Sequence, residues 1–151
     1  MKAAGPGNPP LVTVTTSGRA VSPLQDLARK ALGATLLLTG TAHLTFARRE
    51  FRVQVPPWVP VDPDAVVLAS GVVELAAGGA ALALPRQRVL VGRLLAALFV
   101  AVFPGNVAQY TERRDGFGLD TDAKRMVRLW LQPLLVAWAL WSTGALPRRK
   151  G

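Results

Sequence analysis

Apolar residues fall in four long blocks along the chain, separated by short segments rich in proline and charge. The block Ala65 to Leu84 (AVVLASGVVELAAGGAALAL) is the most sharply drawn, with Glu74 near its middle as its only formal charge. About 20 residues at about 1.5 Å each give about 30 Å, the thickness of a bilayer's hydrocarbon core. The other blocks predict helices over 27–46, 89–110 and 126–146, each with a long stretch free of formal charge. No segment alternates with a period of two and no internal repeat is visible, which excludes a barrel or a solenoid. A soluble bundle would show a polar face on every helix, whereas these blocks are apolar nearly all round. The predicted fold class is therefore all-α, an integral-membrane four-helix bundle.

The segments between the blocks mark the organisation. Residues 1–22 are rich in Gly, Pro, Ser and Thr without periodicity and read as a disordered cytoplasmic tail. Ser22 and Pro23 supply an N-cap and a first helical residue, so the four-helix domain is placed at 23–147, with 148–151 as a basic tail. The first block reads as a retained span and not a signal peptide. Its basic flank, Arg29-Lys30, comes late, and Phe46-Ala47-Arg48-Arg49 lacks a small-x-small cleavage pattern. The connector Arg48 to Asp64 contains Pro56-Pro57-Trp58-Val59-Pro60, which predicts an extended turn with Trp58 at headgroup level. Pro85-Arg86-Gln87-Arg88 predicts a tight basic turn. Pro104 and Pro133 predict kinks in the third and fourth helices, and Glu112 to Arg125 a solvated loop.

Charge changes this picture little. The chain has 18 Lys and Arg against 9 Asp and Glu, a net +9, but the basic residues flank apolar blocks without interleaved aromatics, so nucleic acid is not the expected partner. The bilayer is. The basic turn at 85–88 and the aromatics Phe46, Phe51, Trp58, Tyr110 and Trp130 at the other end place both termini in the cytoplasm, with the chain multi-pass in the cytoplasmic membrane. No cysteine and one histidine exclude disulfides and thiolate zinc sites, and no metal site is expected.

Five polar residues stand out against the apolar background: His43, Glu74, Asn106, Arg128 and Gln132. With the outer boundary near Ala47, Ala65, Tyr110 and Arg128, three of them lie about 6 Å deep and Glu74 about 14 Å. Arg128 shares a helix face with Gln132, and its long side chain is expected to reach inward over Glu74. An acid in a span is a functional candidate by default. Simpler roles are also open: a carboxyl fixing helix register on the small-residue face of Gly71 and Gly78, a histidine bonding a carbonyl, or amides capping carbonyls freed by Pro104 and Pro133.

The blocks Gly40-Thr41-Ala42-His43-Leu44, Pro56-Pro57-Trp58-Val59-Pro60, Ser70-Gly71-Val72-Val73-Glu74-Leu75 and Phe103-Pro104-Gly105-Asn106 resemble, in order and separation, the pattern of DoxX-type membrane proteins. The likeness runs from about Leu27 to Trp141, with Trp130 standing where relatives usually carry proline. That resemblance implies the membrane-bundle fold and a link to quinone redox complexes; the leading expectation is a membrane subunit of such a complex, with quinone as the candidate cofactor and His43, Glu74 and Arg128 around its headgroup. No catalytic residue is assigned, because nothing on the chain carries electrons; a redox partner protein would supply them, or a homo-oligomer would form. The competing expectations are a small-solute or proton transport element, and an assembly protein without catalysis.

Overall fold

Ser22 opens the first helix as a reciprocal cap. Its hydroxyl accepts from the Gln25 backbone N–H at 3.1 Å, and the Gln25 side chain accepts from the Ser22 N–H at 3.1 Å. In the computed structural model, which describes residues 21–146, this helix, α1, runs over Pro23–Leu44. It is followed by α2 (Arg48–Arg52), α3 (Pro63–Ala83), a 3-10 turn (Pro85–Gln87), α4 (Arg88–Thr111) and α5 (Asp122–Ser142). No strand occurs among the described residues. The tails expected at 1–22 and 148–151 lie outside the described residues, apart from 21 and 22.

The element ends follow local chemistry more closely than the apolar blocks did. Asp62 accepts from the N–H groups of Asp64 and Ala65, and Thr121 accepts from that of Lys124, so α3 and α5 begin two and four residues before the expected 65 and 126. The fourth helix ends at Ser142, not Leu146. Gly144, at φ 70, donates to Trp141 O, and Ala145 donates to Leu140 O at 2.8 Å, the paired bonds of a left-handed C-terminal stop. α4 stops the same way on Arg113, at φ 50. The connector after α1 is also not wholly extended: Arg48 to Arg52 make one helical turn before the proline segment. Pro104 and Pro133 are both carried inside continuous helices.

The four long helices lie antiparallel as two intimate pairs. In the α1–α3 pair, glycines bring backbones together: a Cβ on Gly40 would stand 2.9 Å from Gly71 O, and one on Gly78 would stand 2.8 Å from Gly33 O. In the α4–α5 pair, a Cβ on Gly92 would overlap the Thr143 side chain. The pairs meet along α1–α5 and, more sparsely, along α3–α4. Leu32, Leu36, Ala81, Val91, Leu95, Phe99 and Ala139 fill the shared core toward the end that holds both described termini. Arg29 is buried at that end. It donates to Ala81 O and pairs with Asp26, whose carboxyl is held down to about 2 by donors on Lys30 and Arg29.

The expectation of four membrane-crossing helices is met only in part. α3 and the continuous stretch Pro85–Thr111 are long and apolar enough to cross a bilayer; α1 and α5 are not. The physical reason is in their sequences. α1 carries Asp26, Arg29, Lys30 and three threonines, and α5 carries Asp122, Lys124, Arg125, Arg128 and Gln132. The fold shown is all-α, with two helices of spanning character.

Candidate functional site

A cavity of about 440 Å³ lies in the seam between the two helix pairs. All five polar residues singled out in the sequence line it. They do not form one cluster. They stand as two separate walls, one on α1 and α3 and one on α4 and α5.

The first wall is Thr39, His43 and Glu74. Thr39 lies one turn before His43 on α1, and the glycine contact between α1 and α3 brings Glu74 against both. Thr39 Oγ1 donates to Glu74 Oε2 at 2.5 Å, and His43 Nδ1 lies 3.6 Å from the same oxygen. His43 Nδ1 is also 2.8 Å from the Thr39 carbonyl. A carbonyl can only accept, so Nδ1 carries the proton and Nε2 is the ring nitrogen left for a ligand. The imidazole is fixed in plane by Phe51 of α2, stacked at 3.4 Å between centroids.

The second wall is Asn106, Arg128 and Gln132, joined in a chain of directed bonds. Gln132 donates to the Phe99 carbonyl and accepts from Asn106 Nδ2 at 2.9 Å. Asn106 Oδ1 in turn accepts from Arg128 Nε at 3.1 Å. The expected capping of a proline-freed carbonyl is not what Gln132 does: it bonds the carbonyl of Phe99, whereas the one four residues before Pro104 is that of Val100. Arg128 Nη2 donates to Gln54 Oε1 at 3.2 Å, and the guanidinium sits 5.8 Å over the Phe117 ring. Arg128 therefore does not reach across to Glu74 as expected. Its Nε and Nη2 are taken by Asn106 and Gln54, which lie nearer its own helix end.

Connectors roof the cavity. Phe117 takes φ 55, a left-handed conformation uncommon for a bulky residue, and its ring meets Phe51 edge-on at 4.6 Å. Its N–H donates to Glu50 at 2.8 Å, and Arg114 donates to Val55 O at 2.6 Å, tying the α4–α5 loop to α2 and to the connector after it. Gly105 lets that connector approach: a Cβ there would stand 2.7 Å from Gln54 O. An unbroken series His43, Phe51, Phe117, Arg128 thus links the two walls over the mouth.

Residues 32–143 match the model of a family described as a domain of unknown function, DUF8561. The chain belongs to this family. No curated protein and no solved structure matches it. The DoxX-type resemblance is corrected by this result: the matching family is a different one, and no DoxX match is found. The blocks that carried the likeness are short and built from residues with general duties in packed apolar helices. Gly40 and Gly71 provide backbone approach, Pro104-Gly105 admits the connector, and Asn106 bonds across helices. Such needs recur without common descent.

Thr39, Phe51, Gln54 and Phe117 are site residues that sequence reasoning missed. Thr39 had a signal, since its spacing of four from His43 puts both on one helix face. Phe51, on α2, was marked only as an aromatic at the outer end, and Gln54 and Phe117 lie on connectors and had none. Among the described residues no cluster of metal-ligating side chains occurs.

Proposed function

We propose that the chain is a multi-pass membrane protein that holds the headgroup of a lipid-soluble, quinone-class ligand between its two helix pairs, as a non-autonomous element of a larger redox assembly. The observation that carries this is the cavity's construction, with two opposed polar walls at one end and an apolar lining of Leu32, Leu36, Phe99 and Leu135 beyond them. Such a site suits an amphiphile with acceptor oxygens at both ends of a flat head. Arg128 is a fixed donor on one side, and the His43–Glu74–Thr39 group can hold or release a proton on the other. A bound quinone would supply the electron-accepting chemistry, and a partner protein the electrons.

Crossing by all four helices is part of this reading. Only 22% of the apolar window of α3 and 33% of that of Pro85–Thr111 is buried, unlike the core helix of a soluble protein. Large apolar residues face outward on every long helix, among them Leu38, Val72, Val100 and Leu134. The polar positions of α1 and α5 turn largely inward or sit at the helix ends, which is how a bundle tolerates them in lipid. We place both termini in the cytoplasm. The buried core of Leu32, Leu95 and Ala139 below the polar walls speaks against a continuous polar path, and so against transport.

Trp58 lines the cavity and gives a direct test. Titrating a short-chain benzoquinone into the detergent-solubilised protein should quench a saturable fluorescence component that disappears in Trp58→Phe. Arg128→Met should weaken the affinity by about tenfold or more, the scale of a lost charge-assisted hydrogen bond. A strictly linear quench, equal in all three proteins, would refute the reading.

A further inference from the structure

The cavity shares its wall with a second concavity. An apolar groove of about 470 Å³ lies on the outer surface along the α3–α4 seam, lined by Ala69, Val73 and Leu98 together with Val66 and Ser70. Val66 and Ser70 line the inner cavity as well. The seam is the most sparsely packed of the four helix contacts, and none of the glycines that lock α1 to α3 acts there. Val73 is 48% exposed, so the groove opens onto the outward apolar surface, with Val61 of the connector before α3 at its outer end.

We propose that this groove is the seat of the ligand's hydrocarbon tail, and that the ligand enters laterally from the bilayer between α3 and α4. This rests on the headgroup reading of the cavity and narrows the ligand class to membrane-resident molecules with a prenyl or alkyl chain. Val66 and Ser70 are common to the polar chamber and the groove. The roof over the mouth is tied together by the Arg114–Val55 and Phe117–Glu50 bonds, whereas α3 and α4 exchange few contacts along the groove. A molecule dissolved in the membrane would therefore reach the chamber by parting one thin wall, with its head drawn to the polar groups and its tail left on apolar side chains.

The test compares two benzoquinones with the same head, one bearing a decyl chain and one without it, on wild type, Ala69→Phe, Leu98→Phe and the control Val100→Phe, which faces outward elsewhere on α4. In Ala69→Phe or Leu98→Phe, whichever folds, the decyl compound should bind about tenfold more weakly, about two methylene groups no longer buried. The tailless compound should bind as in wild type, and Val100→Phe should change neither. Equal weakening of both compounds, or no weakening of either, overturns the tail site while leaving the headgroup site intact. Failure of wild type to bind either compound instead removes the headgroup reading on which the tail site rests.

Discussion

Glu74 and Arg128 are the two residues whose partners matter most, and they belong to different networks. Glu74 accepts from Thr39 and faces His43, while Arg128 donates to Asn106 and Gln54. Residues that share no partner contribute to stability independently. Arg128→Met combined with Glu74→Gln should therefore equal the sum of the single changes to within about 0.5 kcal/mol in a detergent-unfolding cycle. Thr39→Val with Glu74→Gln should show a coupling of about 0.5–3 kcal/mol, because they remove two ends of one bond. Strong coupling in the first cycle would mean that Arg128 crosses the cavity after all. The sequence identified both residues by type, since a charge in an apolar block is conspicuous; it could not say which bonded to which, because that depends on side-chain rotamers and on connectors far away in the chain.

At the scale of elements, the α1–α3 contact sets the site's geometry. Gly71 faces His43 directly, and a Cβ there would lie 2.8 Å from the His43 Cβ and 3.0 Å from Gly40 O. Backbone cannot yield as a side chain can. Gly71→Ala should cost about 1–3 kcal/mol by overpacking, and should also weaken ligand binding by shifting His43. Gly79 is the control. Nothing lies within 4 Å of a Cβ there, so Gly79→Ala should stabilise α3 by up to about 1 kcal/mol and leave binding unchanged. Equal effects from the two substitutions would show that helix propensity, not close approach, governs this face. The sequence marked Gly71 and Gly78 as a packing surface, but their partners Gly33 and Gly40 became visible only when α1 was docked.

For the whole molecule, the proposed membrane reading predicts a topology. Cysteines placed at Gln54 or Gly118 should react with an impermeant thiol reagent in intact cells, and one at Gln87 should not. Labelling at Gln87 alone would reverse the orientation. Labelling at all three only after lysis would remove the membrane-spanning arrangement itself. The basic turn at 85–88 and the outward apolar surface of all four long helices set these expectations together.

The sequence by itself determined that the chain is helical, where each long helix lies to within a few residues, and which polar side chains stand out within the apolar helices. Those properties follow from local periodicity, capping and the cost of placing charge among apolar residues, all of which act over a few turns of chain. Tertiary structure alone decided that the polar residues form two walls and not one cluster, that Phe51 and Phe117 join those walls across the roof, and that a groove along α3–α4 abuts the cavity. These depend on contacts between residues tens of positions apart, such as Phe51 with Phe117 and Arg128 with Gln54. Neighbouring residues carry no trace of such contacts, because the partner is selected by packing and not by spacing.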